Sequence, residues 1–113
     1  MVDSKTIIAY LEYWAKVQPQ KDAIVTETGS LSYEELWSRI AQLAYGLAKE
    51  GMKPHDNILL FMPNCAEYAV AFYAAVKLKL NIIPANASCK ESELRQLIEK
   101  LHPQCVLVAD EDR

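Results

Sequence analysis

The chain has 113 residues, of which 51% are hydrophobic and 24% charged, a balance typical of one soluble globular domain or part of one. The net charge is -3, and Lys and Arg are scattered rather than arranged in a basic stripe, which argues against nucleic-acid binding. The longest apolar run, residues 69–76, is far shorter than the roughly 20 residues that cross a bilayer. Because the charged N-terminus is not typical of a secretory signal, a cytoplasmic protein without a transmembrane segment is expected.

The cysteines Cys65, Cys89 and Cys105 are odd in number, widely spaced and without a C-x-x-C pair. Neither His55 nor His102 lies at ligand spacing from a cysteine. The pattern fits neither a disulfide framework nor a zinc site. We expect reduced structural thiols, and the sequence gives them no further role.

The first predicted element is a helix over residues 7–17, since Ile7, Leu11 and Trp14 recur at helical spacing. Ser4 or Thr6 could cap it, and Pro19 follows its end. A helix lying on a membrane, anchored by Trp14, is the alternative. Packing against its own domain is favoured, because the polar face is not enriched in Lys or Arg.

The segment "AIVTETGSLSY" predicts a β-hairpin, with β-prone residues 23–26 and 31–33 on either side of a turn that contains Gly29. A helix over residues 33–50 should follow, because Ser32 and Glu35 have the spacing of a capping box. Its apolar residues form a stripe wide enough to cover a sheet: Leu36, Trp37, Ile40, Ala41, Leu43, Ala44, Leu47 and Ala48.

Two glycines belong to this helix and its end. Gly51 is predicted at the C′ position, where a left-handed residue ends the helix. Gly46, inside the helix, is interpreted as a mark of close packing.

The segment "NILLFMP" predicts a buried strand of the kind found in parallel sheets. Asn64 should cap the next helix, with Glu67 at the box spacing. That helix is apolar nearly all round, so it must be covered by protein on most sides.

"NIIPAN" predicts a further strand, which Pro84 confines to an edge or a strand end. Ser88 and Glu91 are three residues apart, the third occurrence of the capping-box spacing in this sequence. They precede a predicted helix whose apolar face is formed by Leu94, Leu97, Ile98 and Leu101. Pro103 ends this helix, and "CVLVAD" is the last predicted strand.

Strands that alternate with helices over short loops predict an α/β fold. We expect a partial doubly wound, mostly parallel sheet with helices on both faces, preceded by a helix and a short β-hairpin. A helix apolar all round and a strand left at the edge indicate an incomplete part of a larger domain.

The turn at Pro63-Asn64 is the best candidate for a functional site, because ligands of open α/β sheets gather at the carboxyl ends of strands. A helix start offers N–H groups to an anion, and Cys65 beside it would be favoured as a thiolate. Against this, Asn64 can satisfy one donor itself, Glu67 would repel an anion, and no base lies nearby in sequence. We therefore interpret the turn at Pro63-Asn64 as a strand end at which Asn64 caps the following helix.

The carboxylates also have structural explanations. Glu34, Glu35, Glu91 and Glu93 all fall in first turns of predicted helices, where the macrodipole favours them. The terminal "ADEDR" resembles an acidic metal cluster, but a solvated chain end is preferred. We therefore predict no catalytic, cofactor-binding or metal-binding residue within these 113 positions.

Residues 31–94 resemble the opening segment of the adenylate-forming enzymes, the superfamily of acyl-CoA synthetases, peptide-synthetase adenylation domains and luciferases. The matching stretch is "LSYEELWSRIAQLAYGLAKEGMKPHDNILLFMPNCAEYAVAFYAAVKLKLNIIPANASCKESEL". The superfamily typically shows "LTYxEL", "GLxxxGVxPGDxV", "PNxxEF", "KAGA", "PxNP" and "EEL" in this order. His55 stands where the family usually has the Gly of "PGD", and Lys79 where it has the Gly of "KAGA".

The resemblance implies a reaction in which ATP and a carboxylic acid form an acyl-adenylate, whose acyl group passes to a thiol, usually that of coenzyme A. ATP and magnesium are implied for the parent enzyme, and none of the family's catalytic motifs has a match here. Pro63-Asn64 and Asn86 resemble acyl- and aryl-CoA ligases, because peptide-synthetase domains more often carry Asp at the latter position. Residues 1–113 are thus expected to form the N-terminal portion of the large domain of an acyl-CoA-synthetase-like ligase of fatty acid metabolism, inactive alone and completed by the remainder of the synthetase chain.

Two alternatives stay open. One is a fragment of a peptide-synthetase adenylation domain. The other is a free-standing, non-enzymatic module that binds a partner through its open sheet edge or its apolar helix. A severed piece should self-associate through exposed apolar surface, whereas a true module should be a monomer or a defined oligomer.

Overall fold

The computed structural model describes residues 4–26, 29–62, 66–86 and 90–108. The helices are α1 (Ser4–Val17), α2 (Tyr33–Lys49), α3 (Ala66–Lys77) and α4 (Glu91–Leu101). The strands are β1 (Asp22–Thr26), β2 (Gly29–Ser32), β3 (Asn57–Met62), β4 (Asn81–Asn86) and β5 (Cys105–Val108). The order predicted from the sequence, a helix and a hairpin followed by alternating helices and strands, is confirmed.

Helix α1 packs on its own domain, as its apolar face predicts. Leu11 is only 7% exposed, and the Trp14 ring stacks on the Tyr33 ring with centroids 6.1 Å apart. The described part of the helix starts at Ser4, so the backbone of Thr6 lies inside it rather than at its N-terminus. Within the described residues, no helix is both long and apolar enough to cross a bilayer.

The hairpin of β1 and β2 is antiparallel and leads directly into α2. Ser32 ends β2 and caps α2: its Oγ accepts a hydrogen bond from the Glu35 N–H at 3.2 Å, and its own N–H donates to Glu35 Oε1 at 3.0 Å. Both halves of the predicted capping box are therefore present. The box fixes the corner between the hairpin and the helix.

This corner should be sensitive to acid. Hydrogen bonds from the backbone and the side chain of Ser32 lower the pKa of Glu35. A lowered folded-state pKa stabilises the fold above the unfolded-state pKa of about 4.3, and this stabilisation is lost as the pH falls through the folded value.

We expect Glu35→Gln to lose less stability than the wild type between about pH 5 and pH 3, because its amide oxygen can still accept from Ser32 but does not titrate. Urea midpoints at several pH values measure this. Equal losses in the two proteins would contradict the assignment.

The interpretation of Gly46 as a close-packing residue is wrong. A Cβ atom placed on Gly46 would have no heavy atom within 4 Å among its tertiary neighbours. A helix-interior glycine loses more backbone entropy on folding than alanine does. Gly46 is therefore a weak position of α2 in this chain.

We expect Gly46→Ala to raise the free energy of unfolding by about 1 kcal/mol. Gly51→Ala is the matched control and should lower it by a similar amount, because Gly51 has a φ of +100° that alanine adopts only with strain. Urea denaturation of the three proteins would show the opposite signs. Destabilisation by Gly46→Ala would mean that a neighbour does approach this position.

The three-stranded sheet has the order β4-β3-β5 and is entirely parallel. The central strand β3 is buried on both sides, since Ile58, Leu59 and Leu60 are each 0% exposed. Pro84 lies on the edge strand β4, as predicted, where its missing N–H breaks no hydrogen bond to a further strand of this sheet.

One face of the sheet is covered by α2 and α3. Ile58, Leu60 and Met62 of β3 form a buried cluster there with Leu47 of α2 and Ala71 of α3. Helix α3 has no exposed residue before Lys77, which confirms that it is covered on most sides. The connection from β3 to β4 and the one from β4 to β5 cross the sheet in opposite directions. The right-handed rule for parallel crossovers therefore predicts that α4 lies on the face opposite α3.

The predicted cap of α4 needs correction. Ser88 lies outside the described residues, and the helix begins at Glu91 with Lys90 as its N-cap. The Lys90 N–H donates to Glu93 Oε1 at 3.1 Å, so Glu93, not Glu91, occupies the third helical position. A lysine side chain has no acceptor, so only this half of a capping box can form.

Candidate functional site

The predicted site at the carboxyl edge of the sheet falls largely outside the described residues. Strands β3 and β4 end at Met62 and Asn86, and residues 63–65 and 87–89 are not described. The proposed cap by Asn64, and the question of Cys65 beside it, therefore stay predictions. The same holds for Cys89 and for the terminal residues 109–113.

A shallow groove of about 280 Å³ lies at this edge, between α2, α3 and β5. Among the described residues its lining is mostly apolar, with Arg39 of α2 and Glu67 of α3 as the two charged members; the others are Leu43, Met62, Val70, Ala71, Leu107 and Val108. A single cation and a single carboxylate on an apolar wall give neither a nucleophile with its base nor a phosphate cradle. The groove by itself assigns no reaction.

The carboxylates of the first helical turns lie where the sequence placed them. Glu34 and Glu35 open α2, Glu67 opens α3, and Glu91 and Glu93 open α4. Glu35 and Glu93 accept hydrogen bonds from the N-cap residues that precede their helices. Among the described residues, no group of three His, Cys, Asp or Glu side chains could hold a metal ion.

Cys105 lies on β5 beside the buried cluster around Leu60 and Leu107. Burial raises the pKa of the Cys105 thiol, and the charge of Glu50 raises it further. A raised pKa keeps the sulfur protonated at neutral pH and lowers its reactivity. This environment supports the structural role predicted for Cys105.

A larger cavity of about 350 Å³ lies away from the sheet, between α1, the hairpin, α2 and α3. Tyr10, Tyr33 and Tyr73, from three different helices, line it together with Ile7, Leu11, Ala23, Ile24 and Leu36. Burial, together with the hydroxyls of Tyr10 and Tyr73, raises the pKa of Tyr33. No pattern in the sequence predicted this cluster, because its tyrosines come from three separate helices; the one local signal was the helical spacing of Tyr10 from Ile7.

Comparisons with known proteins agree with the fold. Over 98% of its length the chain is 30% identical to the NRPS-like tryptophan epimerase fscC of Fusarium equiseti, and it spans 8% of that protein. It is 28% identical to acetyl-coenzyme A synthetase 1 of Candida albicans, over 91% of this chain and 16% of the relative. The structure of a benzoate CoA ligase from Burkholderia xenovorans LB400 superposes with a TM-score of 0.82 at 26% identity, over 96% of this chain and 22% of that one.

These relatives carry out different reactions by name, and the chain spans less than a quarter of the length of each. The benzoate CoA ligase structure shares with this chain the sheet and helices described above. Residues 11–113, all but the first ten residues, also match the family described as AMP-binding enzyme. The chain therefore belongs to the AMP-binding, adenylate-forming enzyme family.

Proposed function

We propose that residues 1–113 are the N-terminal scaffold portion of the large domain of an ATP-dependent ligase of the acyl-CoA synthetase kind. In that reaction a carboxylate and ATP give an acyl-adenylate and pyrophosphate, and a thiol then takes the acyl group and releases AMP. The observation that supports the proposal most is the family match over residues 11–113. The preference for coenzyme A as the thiol rests on the resemblance at Pro63-Asn64 and Asn86.

The contribution of this segment is structural. Strand β3 is buried between two parallel neighbours, and α2 and α3 cover one face of the sheet. Because the described residues contain no cluster suited to a metal ion, we derive no step through the magnesium that the family's reaction uses. The residues that contact ATP and the acid are expected elsewhere in the parent enzyme.

The proposal is tested first by an immunoblot of the source cell with antibody raised against these residues. A band several times heavier than 12.8 kDa is expected, and the protein captured with it should exchange pyrophosphate into ATP when given the correct carboxylic acid. The isolated 113-residue chain should show no exchange above a no-protein control. Exchange by the isolated chain would contradict the scaffold role.

A peptide-synthetase adenylation domain is the second candidate, and the 30% identity to an NRPS-like protein favours it. Both candidates form an acyl-adenylate, so the acceptor separates them. The captured protein should release free acyl-CoA when coenzyme A is added if the first proposal holds. Release of no acyl-CoA, with transfer instead to a protein-bound thiol, would favour the second.

An interaction module is the third candidate. Val106, Val108 and Ile98 are 37%, 61% and 37% exposed, and they are the observation that favours it. A band at 12.8 kDa in the immunoblot and a defined monomer or oligomer in sedimentation would support the module. Open-ended association of the isolated chain would instead support a scaffold that lacks its covering surface.

A further inference from the structure

The cavity between α1, the hairpin, α2 and α3 is lined by aliphatic side chains and by three tyrosines. Its volume of about 350 Å³ is within the range of small-molecule sites. Ile7, Leu11, Ile24 and Leu36 supply aliphatic surface on several sides. A few polar groups that converge inside an apolar cavity are the usual composition of a ligand site.

The tyrosine rings at this cavity are held by other rings. The Tyr33 ring stacks on the Trp14 ring with the two centroids 6.1 Å apart. The Tyr10 ring makes an edge-to-face contact with the Trp14 ring, also with the centroids 6.1 Å apart. Tyr73 makes an edge-to-face contact with Phe72 at 5.5 Å. These contacts restrict the half-buried rings of Tyr33 and Tyr73 more than that of Tyr10, which is 56% exposed. Rings that are already restricted lose less side-chain entropy when a ligand binds.

The cavity also selects by charge. None of the described residues that line it carries an ionised side chain at neutral pH. The Lys21 ammonium lies near this region, 5.5 Å from the centroid of the Trp14 ring, but it is not among the described lining residues. An anionic ligand would therefore give up its hydration without a cation in the lining to replace it, which is unfavourable in an apolar site. A hydroxyl or carbonyl group can instead exchange hydrogen bonds with the tyrosine hydroxyls.

We infer that this cavity binds an uncharged, ring-bearing molecule with one hydrogen-bonding head group, such as a phenol or an aromatic alcohol. The body of the ligand lies against the rings and aliphatic side chains of this open-sided cavity, and the hydroxyls of Tyr10, Tyr33 and Tyr73 hold its head. The site lies apart from the carboxyl edge of the sheet and uses none of the residues at that edge. Binding here is therefore independent of the proposed ligase reaction, and either can fail without the other.

The experiment compares 2-naphthol, naphthalene and 2-naphthoate as probes of the purified full chain. The chain has two tryptophans, so ¹⁵N-labelled protein gives two indole N–H signals, which Trp37→Phe assigns. We expect 2-naphthol to shift the Trp14 signal, since Trp14 contacts both Tyr10 and Tyr33, and to leave Trp37 unchanged. 2-Naphthoate should bind at least about tenfold more weakly, because no cation is among the described residues that line the cavity.

Variants separate the hydroxyl contacts from simple apolar binding. Tyr10→Phe and Tyr73→Phe should each lower the affinity for 2-naphthol about fivefold, because each variant loses one neutral hydrogen bond to the ligand. The affinity for naphthalene should stay unchanged. Tyr45→Phe is the matched control, since Tyr45 is 70% exposed on α2 and does not line the cavity. Ala23→Leu should lower the affinity for both ligands, because the larger side chain fills part of the cavity.

Far-UV circular dichroism confirms that each variant is folded before binding is measured. Three results would overturn the inference: no shift of the Trp14 signal at the solubility limit of 2-naphthol, equal affinity for 2-naphthoate, or an equal loss of 2-naphthol binding in Tyr45→Phe.

Discussion

Leu60→Ala is expected to lower the free energy of unfolding by about 3 kcal/mol, a large part of the stability of a domain this size. Leu60 is 0% exposed in the middle of β3, with Pro84 of β4 and Leu107 of β5 as its register partners. Its side chain belongs to the cluster that α2 and α3 close over the sheet. Removal of the side chain leaves a cavity that neighbours held by two strands and two helices cannot fill.

Urea unfolding followed by circular dichroism measures this loss. The matched control is Val108→Ala, at an edge-strand position that is 61% exposed and should change stability by less than about 0.5 kcal/mol. If both variants lost the same amount, the core of the chain would not lie on the face of the sheet where Leu60 packs.

The second prediction is that Lys79→Gly raises the free energy of unfolding. Lys79 has a φ of 61° and ends α3 with two hydrogen bonds, from the Lys79 N–H to the Val76 carbonyl at 3.0 Å and from the Leu80 N–H to the Ala75 carbonyl at 2.9 Å. This is a Schellman motif with a lysine at the left-handed position. A residue with a Cβ atom is strained there by about 1 kcal/mol relative to glycine.

Gly51 shows the same motif with the expected residue. It has a φ of 100° at the end of α2, where its N–H donates to the Ala48 carbonyl and the Met52 N–H donates to the Leu47 carbonyl. The two helix ends are thus built alike, and only one of them has glycine. Lys79→Gly should raise the free energy of unfolding by about 1 kcal/mol.

His55→Gly should also raise the free energy of unfolding by about 1 kcal/mol. His55 has a φ of 74° and follows Pro54 in a turn closed by the Asp56 N–H to the Lys53 carbonyl at 3.0 Å. Proline followed by a residue of positive φ is the pattern of a type II turn, which favours glycine at that position. The His55 N–H donates to the Lys79 carbonyl at 2.8 Å, so the two substitutions are neighbours and their double variant measures any coupling.

Lys100→Gly is the control for both substitutions. Lys100 is exposed in the last turn of α4 and has a right-handed helical backbone, so glycine there should lower stability by about 1 kcal/mol. Opposite signs at Lys79 and Lys100 would show that backbone conformation, rather than loss of a lysine charge, decides the effect. A loss of stability in Lys79→Gly would contradict the strained helix end.

Local rules of sequence predicted much of the fold because the interactions involved span only a few residues. The Ser32–Glu35 capping box and the left-handed Gly51 follow from residues three or four positions apart, and both are confirmed. The buried strand β3 was predictable from an uninterrupted apolar run. The short motifs of residues 31–94 also indicated a resemblance to the adenylate-forming enzymes, which the family match confirms.

Other features depend on what lies across space, and here the sequence alone was insufficient. A glycine inside a helix predicts close packing at Gly46, but only the packed structure shows that no neighbour would come within 4 Å of a Cβ atom there. The position of β3 between β4 and β5 is set by long-range pairing rather than by chain order. The positive φ angles at His55 and Lys79 show that both positions have a backbone conformation that glycine adopts more easily than other residues.

The sequence by itself determined the elements, the parallel α/β class, the family and the absence of a recognisable catalytic motif, because each of these is written in short-range spacing and composition. The tertiary structure decided which side chains meet. Tyr10, Tyr33 and Tyr73 belong to three helices far apart in the chain, and only the packing of α1, α2 and α3 brings their hydroxyls to one cavity. Contacts of that kind carry no periodic signal, since each residue satisfies its own helix and the cavity arises from the space between the helices.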